Sequence, residues 1–182
     1  MSRSFERSFK KLIGIEGGYS DHPQDPGKKT KYGITEAVAR ESGFTGDMKD
    51  LTLEFAKSIY KEKYWDISKL TSVSEFSEDL AFKLFEVSVN CGVRNSIRFF
   101  QRALNALNKN GELYDDLKVD GILGEKTLSS FRSFYKARIR DGASVLIASL
   151  NGQQVSYYIA ITEKNEDLRS FYYGWIKNRI LK

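Results

Sequence analysis

The sequence predicts a mainly α-helical fold, and three observations support this prediction. Apolar residues recur at intervals of three and four along most of the 182 residues, which is the spacing of one buried helix face. Turn residues are sparse outside one segment, and both prolines, Pro23 and Pro26, lie within that segment. Hydrophobic residues make up 41% of the chain and charged residues 29%, a composition typical of a globular protein with a packed core.

The helices are expected where these apolar stripes run. The first stripe is Phe5, Phe9, Leu12 and Ile13, and Thr52 is the expected N-cap of the next helix. The later stripes span residues 55–63, 76–91, 97–107, 128–138, 145–161 and 168–176. Each of these helices is expected to bury one face in the core.

Residues 17–34 interrupt the helical pattern. They contain both prolines and four glycines, so the segment is predicted to be a loop or a small irregular hairpin. A long structured loop in a compact domain is more often functional than not. A second turn cluster, residues 119–127, leads into a later helix.

Composition excludes several kinds of site. The chain has one cysteine, Cys91, and one histidine, His22, so it has no intramolecular disulfide and too few ligands for a closed Cys/His zinc site. A Ser/His/Asp triad would depend on His22 alone. Cys91 continues an apolar stripe and is interpreted as a small buried residue. Residues 116–121 resemble a calcium loop, but Lys118 and Thr127 occupy ligand positions, so no metal and no cofactor are expected.

Glu16 is the first candidate for chemistry. It lies four residues after Leu12 and three after Ile13, so it continues the buried face of the first helix, and Gly17-Gly18 is the expected helix stop. Partial desolvation there would raise the pKa of Glu16, as a general acid requires. The alternative is a Glu in the last turn that points into solvent.

Asp25 and Asp21 are the carboxylates that could partner Glu16. Cleavage of a glycosidic bond needs one protonated acid and a second carboxylate that activates water or stabilises the oxocarbenium-like transition state. A turn at Pro26-Gly27 could bring Asp25 back over the helix end. The alternative is an Asx-turn in which Asp25 caps its own loop, and the spacing alone does not decide between them.

Two sets of motifs resemble known families. The first set is similar to the glycoside hydrolase family 108 N-acetylmuramidases, which are lysozyme-like enzymes found as phage endolysins and bacterial cell-wall hydrolases. It consists of Glu16-Gly-Gly-Tyr19, Asp25-Pro-Gly27, Thr30 and Tyr32-Gly-Ile-Thr35. The second set resembles the predicted peptidoglycan-binding domain usually fused to that enzyme. It consists of Val89-Asn90-Cys-Gly92, Phe100-Gln101-Arg102-Ala103-Leu104, Asp120-Gly121 and Gly124-x-x-Thr127.

The resemblance implies a lysozyme-like helical domain over residues 5–91, with the irregular loop at its active site, packed on a helical peptidoglycan-binding lobe over residues 92–179. It implies hydrolysis of the β-1,4 bond between N-acetylmuramic acid and N-acetylglucosamine without a cofactor. Glu16 would be the catalytic acid, and Asp25 and Thr30 would orient water and stabilise charge on the sugar. The stereochemical course depends on the separation of the carboxylates.

Three further residues are candidate substrate contacts, and each has a structural alternative. Tyr19 and Tyr32 flank the loop and could stack on sugar rings, but aromatic residues near a helix end are as often packing residues. Asn90 lies near a helix end, where it could face the cleft or act as a C-terminal cap.

The chain departs from the family pattern at Lys28-Lys29, where the family usually has a glycine and a small residue. With Lys31, these residues add three positive charges to the loop. Ammonium groups close to Glu16 would lower its pKa and oppose the effect of burial. They could instead bind carboxylates of peptide stems or wall phosphates, or form a solvated basic loop.

The expected partner is therefore the glycan strand of peptidoglycan. The net charge of +5 fits an anionic polymer, but it also leaves a nucleic-acid binder as a rival. We expect no nucleic-acid partner, because no recognition-helix pattern, arginine-rich face or aromatic RNA motif is visible. The other rival is a catalytically inactive cell-wall binding or secretion-associated protein on the same fold, since some relatives are labelled secretion activators.

The expected site of action is the cell wall. No signal peptide and no membrane span are visible, so we expect synthesis in the cytoplasm, no stable membrane insertion, and holin-dependent release or dedicated export. No feature of the sequence fixes the oligomeric state, and a monomer is favoured.

Overall fold

Helices dominate the structure, which confirms the predicted mainly α fold. The structure is a computed structural model that describes residues 2–14, 20–21 and 29–181. The chain forms two compact units, Met1–Ile67 and Ser68–Lys182.

The first unit combines helices with a small sheet. Helix α1 spans Arg3–Ile13, and strands β1 (Ser20–Asp21), β2 (Lys29–Lys31) and β3 (Ile34–Thr35) form an antiparallel sheet in the order β1-β2-β3. The remaining elements are α2 (Glu36–Glu41), a 3-10 turn (Met48–Asp50), α3 (Leu53–Tyr60) and a π-helical segment (Lys61–Asp66). The segment predicted as a loop or hairpin thus contributes three strands. Residues 15–19 and 22–28 lie outside the described residues.

Aromatic side chains form the core of the first unit. Phe5 and Phe9 on α1 are buried as predicted, and Phe5 packs edge-on against Trp65 with a ring centroid distance of 5.6 Å. Phe9 contacts Tyr60 at 5.7 Å, which joins α1 to the end of α3. The predicted N-cap is confirmed, because the Thr52 hydroxyl accepts a hydrogen bond of 3.2 Å from the backbone N–H of Phe55.

The second unit is helical. Its helices are α4 (Leu70–Ser74), α5 (Glu78–Cys91), α6 (Val93–Ala106), α7 (Glu125–Ala137), α8 (Gly142–Lys164) and α9 (Arg169–Arg179), with a 3-10 turn at Glu166–Leu168. The predicted stripes of α5 and α6 are buried from Leu80 to Cys91 and from Ile97 to Leu104. Phe76 precedes α5 and packs instead against Phe131 of α7 at 5.5 Å.

The long helix α8 crosses the core of this unit. Its buried stripe advances four residues at a time and consists of Leu146, Leu150, Gln154, Tyr158 and Thr162. The polar members of the stripe need internal partners, because an unpaired buried polar group is costly.

Three amide side chains, two on α6 and one just after its end, hold the segment between α6 and α7. Asn105 pairs with both backbone groups of Leu117 at 2.8 Å, and Asn108 donates to the Asp116 carboxylate at 2.7 Å. Gln101, which is 1% exposed, accepts a hydrogen bond of 2.9 Å from the N–H of Gly121. Gln101 and Asn105 lie four residues apart on one face of α6, and Asn108 extends their contacts beyond the helix end.

The amide of Gln101 also fixes the start of α7. It donates to the Asp120 carboxylate at 2.9 Å and to the Thr127 hydroxyl at 3.2 Å. Hydrogen bonds from Gln101 and from the N–H of Ile122 lower the pKa of Asp120. The motif residues Gln101, Asp120, Gly121 and Thr127 therefore form one hydrogen-bonded turn.

We expect Gly121→Ala to destabilise the second unit by about 2–4 kcal/mol. Gly121 has φ +78°, and an added Cβ would lie 2.5 Å from Cγ of Arg94 and 2.7 Å from its carbonyl oxygen. Gly152→Ala is the matched control, because Gly152 lies within α8 and its Cβ would meet nothing within 4 Å. The control is expected to stabilise by up to about 1 kcal/mol, since alanine favours a helix interior. Urea unfolding measures both changes, and an unchanged midpoint for Gly121→Ala would contradict the role of this close contact.

Candidate functional site

The turn between β2 and β3 carries the candidate residue Tyr32. Lys31 pairs with Ile34, so Tyr32 and Gly33 form a two-residue hairpin loop with φ values of +53° and +72°. Such a turn normally has Asn-Gly, because a bulky side chain is disfavoured at positive φ. The Tyr60 hydroxyl, from the core, donates a hydrogen bond of 2.9 Å to the carbonyl oxygen of Tyr32. The core thus holds Tyr32 in a strained conformation of the kind found at functional sites.

Strand β2 separates the candidate Thr30 from the lysines beside it. Thr30 pairs with Ser20 and with Thr35, and it lies between Lys29 and Lys31 in the strand. Side chains alternate between the two faces of a strand, so Lys29 and Lys31 lie on the face opposite Thr30. Lys31 shares its face with its partner Ile34, which is buried.

The lysine face of β2 packs on the 3-10 turn. The Lys31 ammonium donates to the carbonyl oxygen of Lys49 and lies 5.4 Å from the ring centre of Tyr32. The N–H of Lys49 lowers the pKa of Asp47, and the nearby positive charge of Lys29 acts in the same direction. These contacts favour a structural role for Lys31 over a solvated loop. Lys28 lies outside the described residues.

The predicted site is described only in part. Glu16, Tyr19 and Asp25 lie outside the described residues. Helix α1 ends at Ile13 with Gly14 as its C-cap, so the expected helix stop at Gly17-Gly18 is wrong, and the position of Glu16 at the core stays a prediction. Thr30 and Tyr32 lie on β2 and its turn in the first unit, whereas Asn90 belongs to α5 of the second unit. Their catalytic and binding roles stay predictions.

Asn90 is part of a buried polar cluster that sequence patterns did not indicate. Its amide nitrogen donates to the backbone oxygen of Glu86 at 2.8 Å and to the Glu86 carboxylate at 2.9 Å. Glu86 is only 3% exposed, and its carboxylate pairs with the Lys83 ammonium group at 2.9 Å. Gln154 of α8 accepts a hydrogen bond of 2.6 Å from Lys83 and donates to Glu86 and to the Tyr158 hydroxyl. With its nitrogen used internally, Asn90 can offer its carbonyl oxygen as an acceptor.

Cys91 lies beside this cluster and is buried, as predicted. Burial raises the pKa of the Cys91 thiol to about 12, and the Glu86 charge adds to the effect. Burial also raises the pKa of the Tyr158 hydroxyl. Both groups are therefore neutral at physiological pH.

The described residues contain no group of three or more His, Cys, Asp or Glu side chains arranged to hold a metal ion. None of their helices is both long enough and apolar enough to cross a membrane.

The sequence matches two known families along most of its length. Residues 9–92 match the glycosyl hydrolase 108 family. This part of the chain belongs to that family. Residues 95–180 match a predicted peptidoglycan domain. As a family 108 member the protein is a glycoside hydrolase, and its second domain supports a peptidoglycan hydrolase with peptidoglycan as its partner.

Among solved structures, the fold is similar to that of Brucella abortus SagA. The TM-score is 0.72 at 24% sequence identity, and the match covers 96% of this chain and 88% of that chain. No curated protein matches the sequence. The two family matches meet at the corner between α5 and α6, whereas the compact units divide after Ile67. The predicted domain boundary at residues 91 and 92 stays a prediction.

We expect Tyr32→Asn to raise the free energy of unfolding by about 1 kcal/mol, because asparagine tolerates positive φ better than tyrosine. Thermal unfolding should then move up by roughly 2–4 °C. Hydrolysis of peptidoglycan should fall, because the variant lacks the aromatic ring. Tyr32→Phe is the control, since it keeps both the ring and the backbone strain. A Tyr32→Asn protein no more stable than wild type would contradict the strain at this turn.

We expect Cys91 to resist alkylation by iodoacetamide at pH 8 until the protein unfolds. The folded thiol ionises only near pH 12, whereas an unfolded cysteine ionises near pH 8.5. The buried neutral thiol therefore contributes stability that is present below about pH 8.5 and declines as the pH rises above it. Mass spectrometry with and without urea measures the modification. Rapid labelling of the folded protein would show that the thiol is accessible.

Proposed function

We propose that the protein is an N-acetylmuramidase that cleaves the β-1,4 bond between N-acetylmuramic acid and N-acetylglucosamine in peptidoglycan. The observation that carries this proposal is the family 108 match over residues 9–92, because it includes the Glu16-Gly-Gly-Tyr19 motif. The peptidoglycan domain over residues 95–180 supports the choice of polymer.

In this mechanism Glu16 is the general acid that protonates the leaving oxygen. Asp25 and the Thr30 hydroxyl orient the attacking water and stabilise positive charge on the sugar ring. The alternation of β2 supports this role for Thr30, because it directs Lys29 and Lys31 to the opposite face.

Substrate contacts complete the proposal. Tyr19 and Tyr32 stack on sugar rings, and the strained backbone of Tyr32 is consistent with a position kept for function rather than stability. Asn90 accepts a hydrogen bond from a sugar hydroxyl through its carbonyl oxygen. In this proposal the enzyme acts at the cell wall, which it reaches by holin-dependent release or by dedicated export.

We expect Glu16→Gln to reduce hydrolysis by about 10²–10⁴-fold, the usual contribution of a general acid. Reducing ends released from purified peptidoglycan are measured between pH 4 and 8, and mass spectrometry identifies the reducing-end sugar. Glu54→Gln is the matched control, because it makes the same chemical change at an exposed position of α3. Thr30→Val should lower the rate less than Glu16→Gln.

Two results would contradict the proposal. Products that end in N-acetylglucosamine would assign the enzyme to the other glycosidic bond. A folded wild-type protein that binds the wall but cuts nothing at any pH would favour the inactive cell-wall binding or secretion-associated protein.

A further inference from the structure

Helix α6 carries three arginines on one face. Arg94, Arg98 and Arg102 follow one another at intervals of four residues, so neighbouring side chains start about 6 Å apart. We call them the arginine surface. The expectation that the chain has no arginine-rich face is therefore wrong, because the helical spacing aligns residues that look scattered in the sequence.

The arginine surface lacks internal counter-charges. Within the described residues, none of its three guanidinium groups has a carboxylate within 4 Å. Three other arginines of the described residues do have a carboxylate partner: Arg40 with Glu36 at 2.8 Å, Arg132 with Glu125 at 2.7 Å and Arg169 with Glu166 at 2.9 Å. Like charges four residues apart on a helix repel each other. An external anion would relieve this repulsion.

The polar atoms of these arginines are also poorly satisfied. The Nε of Arg94 has one long hydrogen bond, 3.3 Å, to the carbonyl oxygen of Asp120. The Nε of Arg98 is buried and has no hydrogen-bond partner. Buried polar groups without a partner are uncommon, so this nitrogen calls for an explanation.

The turn at Gly121 holds the arginine stems in place. A Cβ at this position would lie 2.5 Å from Cγ of Arg94 and 3.3 Å from Cγ of Arg98, so the backbone rests directly on both side chains. Gln101 in turn fixes the backbone of Gly121. Beside the arginines, the turn exposes 67% of Ile122, an apolar side chain. The surface thus combines ordered cations with an exposed apolar contact.

We propose that the arginine surface, together with Ile122, binds the carboxylates of the peptide stems of peptidoglycan. Guanidinium groups bind carboxylates through two parallel hydrogen bonds, and a stem peptide also offers apolar groups to Ile122. The predicted peptidoglycan domain begins at residue 95 and includes Arg98 and Arg102. This surface would hold the wall polymer while the first domain cuts it. Only the identity of the polymer rests on the proposed function.

Binding is measured by co-sedimentation with purified peptidoglycan sacculi at 0.15 M salt. Every protein carries Glu16→Gln, so that the polymer is not degraded. The test variant is Arg94→Gln/Arg98→Gln/Arg102→Gln. The matched control is Lys136→Gln/Arg140→Gln/Lys164→Gln, which removes the same charge from exposed positions of the same unit. Circular dichroism and thermal unfolding establish that both variants are folded.

We expect the test variant to bind sacculi roughly tenfold or more weakly than the control variant, a loss consistent with charge-assisted hydrogen bonds. Sacculi whose carboxylates have been converted to amides should bind the parent protein as weakly as the test variant binds native sacculi. If the triple variant does not fold, Arg102→Gln alone provides the comparison, because Arg102 makes no hydrogen bond within the described structure.

Equal binding by the test and control variants would overturn the proposal, as would undiminished binding of amidated sacculi. Duplex DNA and vesicles of phosphatidylglycerol are measured in parallel. A loss confined to either of these would assign the arginine surface to that partner instead. Because binding is measured without hydrolysis, a failure of the proposed muramidase activity leaves this test intact.

Discussion

The buried ion pair between Lys83 and Glu86 is the interaction on which the second unit depends. Both residues are almost fully buried, so each charge requires the other. Gln154 of α8 bonds to both, and Lys83 also donates to the carbonyl oxygen of Arg179 at the end of α9 at 3.1 Å. One pair therefore ties α5 to both α8 and α9. Removing either partner would leave an uncompensated buried charge, which typically costs about 3–5 kcal/mol. The same carboxylate fixes the amide of Asn90, so the orientation of this candidate substrate contact depends on the pair.

Each unit uses a buried polar side chain from a regular helix to fix an irregular turn. In the first unit the Tyr60 hydroxyl holds the backbone of Tyr32, and in the second unit the Gln101 amide holds the backbone of Gly121. Each turn leaves one backbone group for such a side chain to bind, the carbonyl oxygen of Tyr32 and the N–H of Gly121. A helix that is rigid because it is packed in the core can supply the missing partner and select one backbone geometry. This arrangement allows Tyr32 and the arginine surface to be ordered although both lie outside the apolar core.

The helices could be predicted from the sequence because their apolar stripes are regular. The N-cap role of Thr52 and the burial of Cys91 could be predicted from the same spacing. The cluster of Lys83, Glu86 and Gln154 could not, because charged residues in a helical pattern are normally assigned to the solvent face. Their burial depends on residues 71 positions apart that meet only in the folded chain. The positive φ of Tyr32 could not be predicted either, since Tyr-Gly is not the usual pair of residues in a two-residue hairpin turn. The roles of Glu16 and Asp25 come from motif resemblance and not from geometry.

The net charge of +5 does not by itself show where an anionic polymer binds, because the positively charged side chains have different surroundings. Lys83 is buried and paired with Glu86, so it contributes little to the attraction of a distant polyanion. The arginines of α6 differ from Lys83, since they have no carboxylate partner within the described residues and are held by a turn without being neutralised by it. A counter-charge inside the protein would cancel their field, whereas a backbone contact leaves it available to a partner. The location of the unpaired cations, rather than the total charge, therefore indicates where an anionic polymer can bind.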